Sequence, residues 1–138
     1  MFANRLARVE GMRAEIETGA EEAQRIRRLP DNLVNSLVDA GCFRFTAPAA
    51  PGREDATSTQ TIAVLEAIAA IDASTAWNVM LGSEINAMAA GGMDPQLAHE
   101  VYLMDPKVIM CGGGGPGSQP TRAERQKDGS VRVWGQTT

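Results

Sequence analysis

Residues 74–90 read STAWNVMLGSEINAMAA, and what this stretch becomes decides the fold. Ala76, Trp77, Val79, Met80, Leu81, Ile85, Ala87, Met88, Ala89 and Ala90 leave a helix with almost no polar face. Such a helix is stable in water only when neighbours cover most of it. The stretch therefore predicts a buried helix from Thr75 to about Ala90, capped by Ser74, in a mainly α domain.

Working back towards the start, Thr57-Ser58-Thr59-Gln60 has capping-box spacing, in which a hydroxyl and an amide three residues apart satisfy each other's free backbone N–H. It opens a third helix that runs to about Asp72. Before it, residues 43–56 hold Pro48, Pro51 and Gly52 and read as a loop pinned by Phe43 and Phe45. A second helix starts at Pro30, which suits a first turn because its missing N–H costs nothing there. It carries Leu33, Val34, Leu37 and Val38 on one face and is closed by Gly41. Over residues 3–28, Leu6, Val9, Ile16, Ala20 and Ala23 step by three and four, the period of one long amphipathic helix.

Working forward, Asp94-Pro95 is a cap followed by a first-turn proline, and Leu97, Val101 and Met104 mark a fifth helix ending before Asp105-Pro106. Residues 107–111 are β-prone, and residues 112–117 are glycine-rich. Residues 121–126 and 130–134 then face each other across Lys127-Asp128-Gly129, a hairpin signal. The reading is a helical unit over 1–106 and the beginning of a β unit over 107–138. A few strands with open edges are marginal in water, so the β unit is expected to be truncated.

Composition excludes several function classes. A net charge of −4 and no basic run longer than Arg27-Arg28 provide no field for a nucleic-acid backbone. Cys42 and Cys111 stand apart, without the spacing of a disulfide framework or a zinc site, which suits a reducing cytoplasm. Arg5, Arg8 and Glu10 break up any apolar leader, and no apolar run of about 18 residues follows, so no membrane role is expected. His99 has no second histidine to share a metal and reads as a surface residue.

Three stretches, taken in order, resemble the acyl-CoA dehydrogenase superfamily. They are Leu29-Pro30-Asp31-Asn32-Leu33 leading to Ala40-Gly41-Cys42-Phe43, then Ala69-Ala70-Ile71-Asp72-Ala73-Ser74-Thr75-Ala76-Trp77, then Asp128-Gly129-Ser130-Val131-Arg132-Val133-Trp134-Gly135. The resemblance implies a five-helix N-terminal domain of the acyl-CoA dehydrogenase type followed by the first strands of a β-barrel domain. In that family a four-helix bundle comes next, and FAD or FMN lies between barrel and bundle. The parent protein would be a flavin-dependent oxidoreductase acting on an acyl-CoA or another small organic substrate, as a homo-oligomer. This chain alone is expected to bind no flavin and to be inactive. The catalytic groups of the family lie in parts not contained in these residues, so none is assigned here.

The resemblance also implies site residues. The helix that opens at Ser74-Thr75-Ala76-Trp77 lines the substrate side of the flavin pocket in the family, which makes Trp77, Met80 and Glu84 candidate pocket residues. The plainer alternatives are core packing for Trp77 and Met80 and a solvated or paired carboxylate for Glu84. The glycine run lies where relatives pass a loop by the flavin, so Gly113, Gly114, Gly115 and Ser118 are candidate cofactor contacts; the alternative is a flexible connection. Asp72-x-Ser74-Thr75-x-Trp77 is similar to the branch of flavin-dependent aromatic hydroxylases and related monooxygenases. Those relatives often carry a histidine two turns later, where this chain has Ser83-Glu84-Ile85. An alternative from another class is a non-catalytic helical binding or assembly module.

Overall fold

The computed structural model describes residues 2–45, 56–104, 107–110, 112 and 122–135. These contain six helices: α1 (Phe2–Gly11), α2 (Arg13–Ile26), α3 (Asp31–Asp39), α4 (Ser58–Ala69), α5 (Ala73–Gly92) and α6 (Pro95–Met104). Two strands follow, β1 (Arg122–Arg125) and β2 (Val131–Trp134). The fold is a helical domain followed by the start of a β unit.

The sixth helix is a correction, since the expected long first helix is divided. Gly11 is a weak helix former, and Met12 after it sits at φ −90° and ψ 6° with no side-chain cap. The Met12 N–H turns back to the Val9 carbonyl at 3.0 Å, a tighter turn than the α-helical one. Val9 and Ile16, on either side of the break, are both fully buried. The break thus redirects the helix while keeping one apolar face on the core.

Local chemistry explains most other boundaries. Arg27 ends α2 in the left-handed region at φ 62°. Pro30 proves to be the cap residue of α3 rather than a member of its first turn. Gly41, at φ 76°, closes α3, with its own N–H on the Val38 carbonyl and the Cys42 N–H on the Leu37 carbonyl. Both capping-box bonds between Thr57 and Gln60 are present at the start of α4. Helix α5 is capped by Asp72 instead of Ser74: the Asp72 carboxylate accepts the Thr75 N–H at 2.6 Å, where its charge also meets the positive end of the helix dipole. Asp94 caps α6 as expected, accepting from the N–H groups of Gln96 and Leu97.

Helix α4 packs between α1 and α5. The main core joins Val9, Ile16, Leu33, Leu37, Val64, Ile68 and Val79 with Phe43 and Phe45, so both loop aromatics anchor as expected. Residues 46–55 lie outside the described residues. A second cluster of Ala90, Ala98 and Tyr102 joins the end of α5 to α6, with Val108 and Met110 against it.

Residues 107–110 form no strand, contrary to expectation. Their neighbour is a helix: the Met110 N–H donates to the side chain of Asn86 on α5 instead of to a strand ladder. The hairpin is present, with β1 and β2 antiparallel and Ala123 opposite Val133. Gly129 takes φ 87° in its turn, and every strand position is exposed. Among the described residues no helix is long and apolar enough to cross a membrane.

Candidate functional site

Helix α5 is built the opposite way round from an ordinary amphipathic helix. Its buried side carries Thr75, Ser83 and Asn86 among Ala76, Val79, Gly82 and Ala90. Its outer side carries Trp77, Leu81, Glu84 and Met88, which recur at the spacing of a single helical stripe. Trp77 is 60% exposed, Leu81 36% and Met88 72%. The helix is therefore not covered on most sides, which corrects the expectation drawn from its apolar content.

Two of these three buried polar side chains have partners that explain them, while the Thr75 hydroxyl has none among the described residues. The Ser83 hydroxyl donates to the Cys42 carbonyl at 2.8 Å, and the Asn86 amide donates to the Phe43 carbonyl at 3.0 Å. Those carbonyls belong to the chain leaving α3, where among the described residues no helix or sheet N–H satisfies them, and an unmet buried carbonyl would cost about 1–3 kcal/mol. Sequence reasoning missed both residues. The available signal was their spacing of three along a stripe shared with Val79 and Gly82, away from Trp77.

Of the expected pocket residues, Trp77 and Glu84 share the outer face, and Met80 sits half-buried at its edge. Trp77 is not packed in the core of the described residues. The Glu84 carboxylate is solvent-facing and has no ion-pair or hydrogen-bond partner among the described residues. The other expected group, Gly113, Gly114, Gly115 and Ser118, lies outside the described residues, as does Cys111. The chain just before it is placed: a Cβ on Gly112 would lie 3.0 Å from Ile85 Cδ1, so this segment runs directly against α5.

A cleft of about 380 Å³ opens at the N-terminal end of α5, between Ser74 and Asn78 on one side and Ala23, Gln24, Arg27 and Leu29 on the other. Its charged groups are largely engaged, since Arg28 pairs with Asp31 and Asp72 caps the helix. Cys42 is buried, and burial pushes its thiol up to about 12, the nearby Arg5 acting the other way. It stays protonated and is no nucleophile. His99 is exposed, and among the described residues no three His, Cys, Asp or Glu converge on a possible metal position. The arrangement offers a contact wall with an apolar stripe and one carboxylate.

Compared with known protein families, residues 6–99 match the acyl-CoA dehydrogenase, N-terminal domain. This range spans the helices described above except the first residues of α1 and the second half of α6. No curated protein and no solved structure matches the chain.

Proposed function

The chain belongs to the acyl-CoA dehydrogenase N-terminal domain family, and from that premise we propose that it supplies one wall of the substrate and flavin pocket of a flavin-dependent oxidoreductase. The observation that carries this reading is the outer face of α5, where Trp77, Leu81 and Met88 stand exposed while polar residues are buried beneath them. Soluble proteins seldom leave a contiguous apolar stripe in water unless something covers it.

The residues fit such a group. The open indole of Trp77 offers a flat apolar surface to a planar ring or an acyl chain. Glu84 places one charge at the side of the stripe, where it would orient a polar end of the substrate. Leu81 and Met88 would exclude water from the reacting region. Gly113, Gly114, Gly115 and Ser118 would contribute backbone N–H groups to the cofactor. A bound FAD or FMN would supply the electron acceptor for an acyl-CoA or a similar small organic substrate. In this reading residues 1–106 are the helical domain and residues 107–138 begin the barrel, in a cytoplasmic homo-oligomer.

Isolation of the native protein from its source cells tests this. The expected result is a subunit well above 14.7 kDa that carries flavin and whose substrate KM rises on Trp77→Ala. A flavin-free species of 14.7 kDa would overturn it and favour an assembly module, to which the same exposed stripe would lend an interface. Oxygen-dependent hydroxylation by the native protein would move it to the monooxygenase branch, against the absence of a histidine at Ser83-Glu84-Ile85.

A further inference from the structure

We infer that Asn86 is a positioning residue, which sets the start of the glycine run against α5 by holding the backbone of Met110. The inference rests on the reading of α5 as a pocket wall, and it adds how that wall is tied to the segment expected to pass the flavin.

Asn86 is fully buried and both ends of its amide are used. Nδ2 donates to the Phe43 carbonyl at 3.0 Å, while Oδ1 accepts the Met110 N–H at 3.0 Å and the Tyr102 hydroxyl at 3.3 Å. The Tyr102 hydroxyl also reaches the Asn86 carbonyl at 3.0 Å. One side chain therefore joins α5 to the turn after α3, to α6 and to the segment that leads into residues 113–115. No other common side chain of that size presents a donor and an acceptor on one rigid plane. Asn86 lies two positions from Glu84, so the same short piece of helix presents a carboxylate outward and an anchor inward. Among the described residues the Met110 N–H meets no backbone carbonyl of a strand or helix, and its acceptor is the Asn86 side chain.

Asn86→Asp keeps the shape and replaces the donor by a second acceptor, which faces the Phe43 carbonyl. Protonation of the new carboxyl restores a donor there, and burial makes that protonation easier than in water. The titratable and charged neighbours are Tyr102, whose hydroxyl burial holds above its ordinary value, and Arg44, which lies over the Tyr102 ring and donates to its carbonyl. Neither changes charge over the range used.

The experiment is amide hydrogen exchange on the full chain, read as protection factors at Met110 and, for reference, at Val64 and Ile68 in α4. In the wild-type chain Met110 is expected to be protected despite lying outside any helix or strand. In Asn86→Leu, which removes the acceptor, its protection is expected to fall by roughly tenfold or more, whereas Asn86→Asp, which keeps an oxygen facing the Met110 N–H, is expected to retain it at about pH 5 and about pH 7, with Val64 and Ile68 unchanged. An unprotected Met110 in the wild-type chain, which needs no variant to fold, would overturn the inference. So would a loss in Asn86→Leu that spreads equally to α4, or an equal loss at Met110 in Asn86→Asp. Absence of flavin from the native protein would instead overturn the pocket reading, leaving the anchoring of Met110 standing.

Discussion

Gly82 lies so close to the ring of Phe43 that a Cβ placed on it would sit 2.6 Å from Cδ1. Phe43 is only 5% exposed, so its ring is held in place by the core around it. Gly82→Ala would gain about 1 kcal/mol of helix propensity, but overpacking costs about 1–3 kcal/mol, so the net effect is expected to be destabilising. Gly91, on the same helix, has no neighbouring atom within 4 Å of the place a Cβ would take. Gly91→Ala is expected to stabilise by up to about 1 kcal/mol. Urea denaturation of the two variants checks the pair, and equal signs would contradict the packing described.

The inverted faces of α5 reverse the usual ranking of substitutions. Trp77→Ala, on the exposed face, is expected to change stability by no more than about 0.5 kcal/mol. Ser83→Ala leaves the Cys42 carbonyl buried without its donor and is expected to cost about 1–2 kcal/mol. Thermal unfolding decides this, and a larger loss for Trp77→Ala would mean that its indole is covered in solution.

Cys42 imposes a pH limit. An unfolded thiol titrates near 9.0, whereas burial pushes the folded one up to about 12. The protonated thiol is favoured in the fold, so its contribution is complete below pH 9.0 and is lost as pH rises towards about 12. In a Cys111→Ser background, Cys42 is expected to resist a thiol reagent at neutral pH and to react at the rate of unfolding. Rapid labelling of the native protein would refute the burial.

The hairpin turn responds at the other end of the scale. The Asp128 carboxylate accepts from both the N–H and the hydroxyl of Ser130, which holds it below its ordinary value of 3.8. The support it lends to the turn is present above pH 3.8 and is lost as pH falls through its lowered folded value. Nuclear magnetic resonance of the Ser130 amide during acid titration is expected to show the turn loosening only at that acid extreme, and Asp128→Ala to show no such step.

Most turn and cap chemistry was legible from the residues because it is local, the exceptions being Ser74, whose place as cap Asp72 takes, and Pro30, which caps α3 instead of entering its first turn. Thr57 and Gln60, Gly41, Asp94 and Asp128-Gly129 each act on partners within a few positions, and each acts as its spacing suggests. The division at Gly11 was hidden because Val9 and Ile16 stay seven apart and both reach the core, leaving the apolar period intact across the break. The orientation of α5 was hidden for a different reason. Which side of a helix is buried depends on what it must satisfy, and the carbonyls of Cys42 and Phe43 reach it from more than forty positions away. Helical spacing groups Trp77, Met80 and Glu84 along one face, but it could not say that Trp77 and Glu84 stand exposed while Met80 is half-buried at the edge. Met110 looked like part of a strand because its neighbours are apolar, while its actual acceptor is a single side chain.

Asn86 meets groups 16, 24 and 43 positions away along the chain. Loops of that length are closed at an entropic cost that a single helix avoids, so these bonds are expected to form after α4 and α5 have come together. Late contacts slow the escape from the native state without speeding its arrival. On that expectation the amide acts as a kinetic clasp, and its removal would shorten the time the folded chain lasts before it next opens.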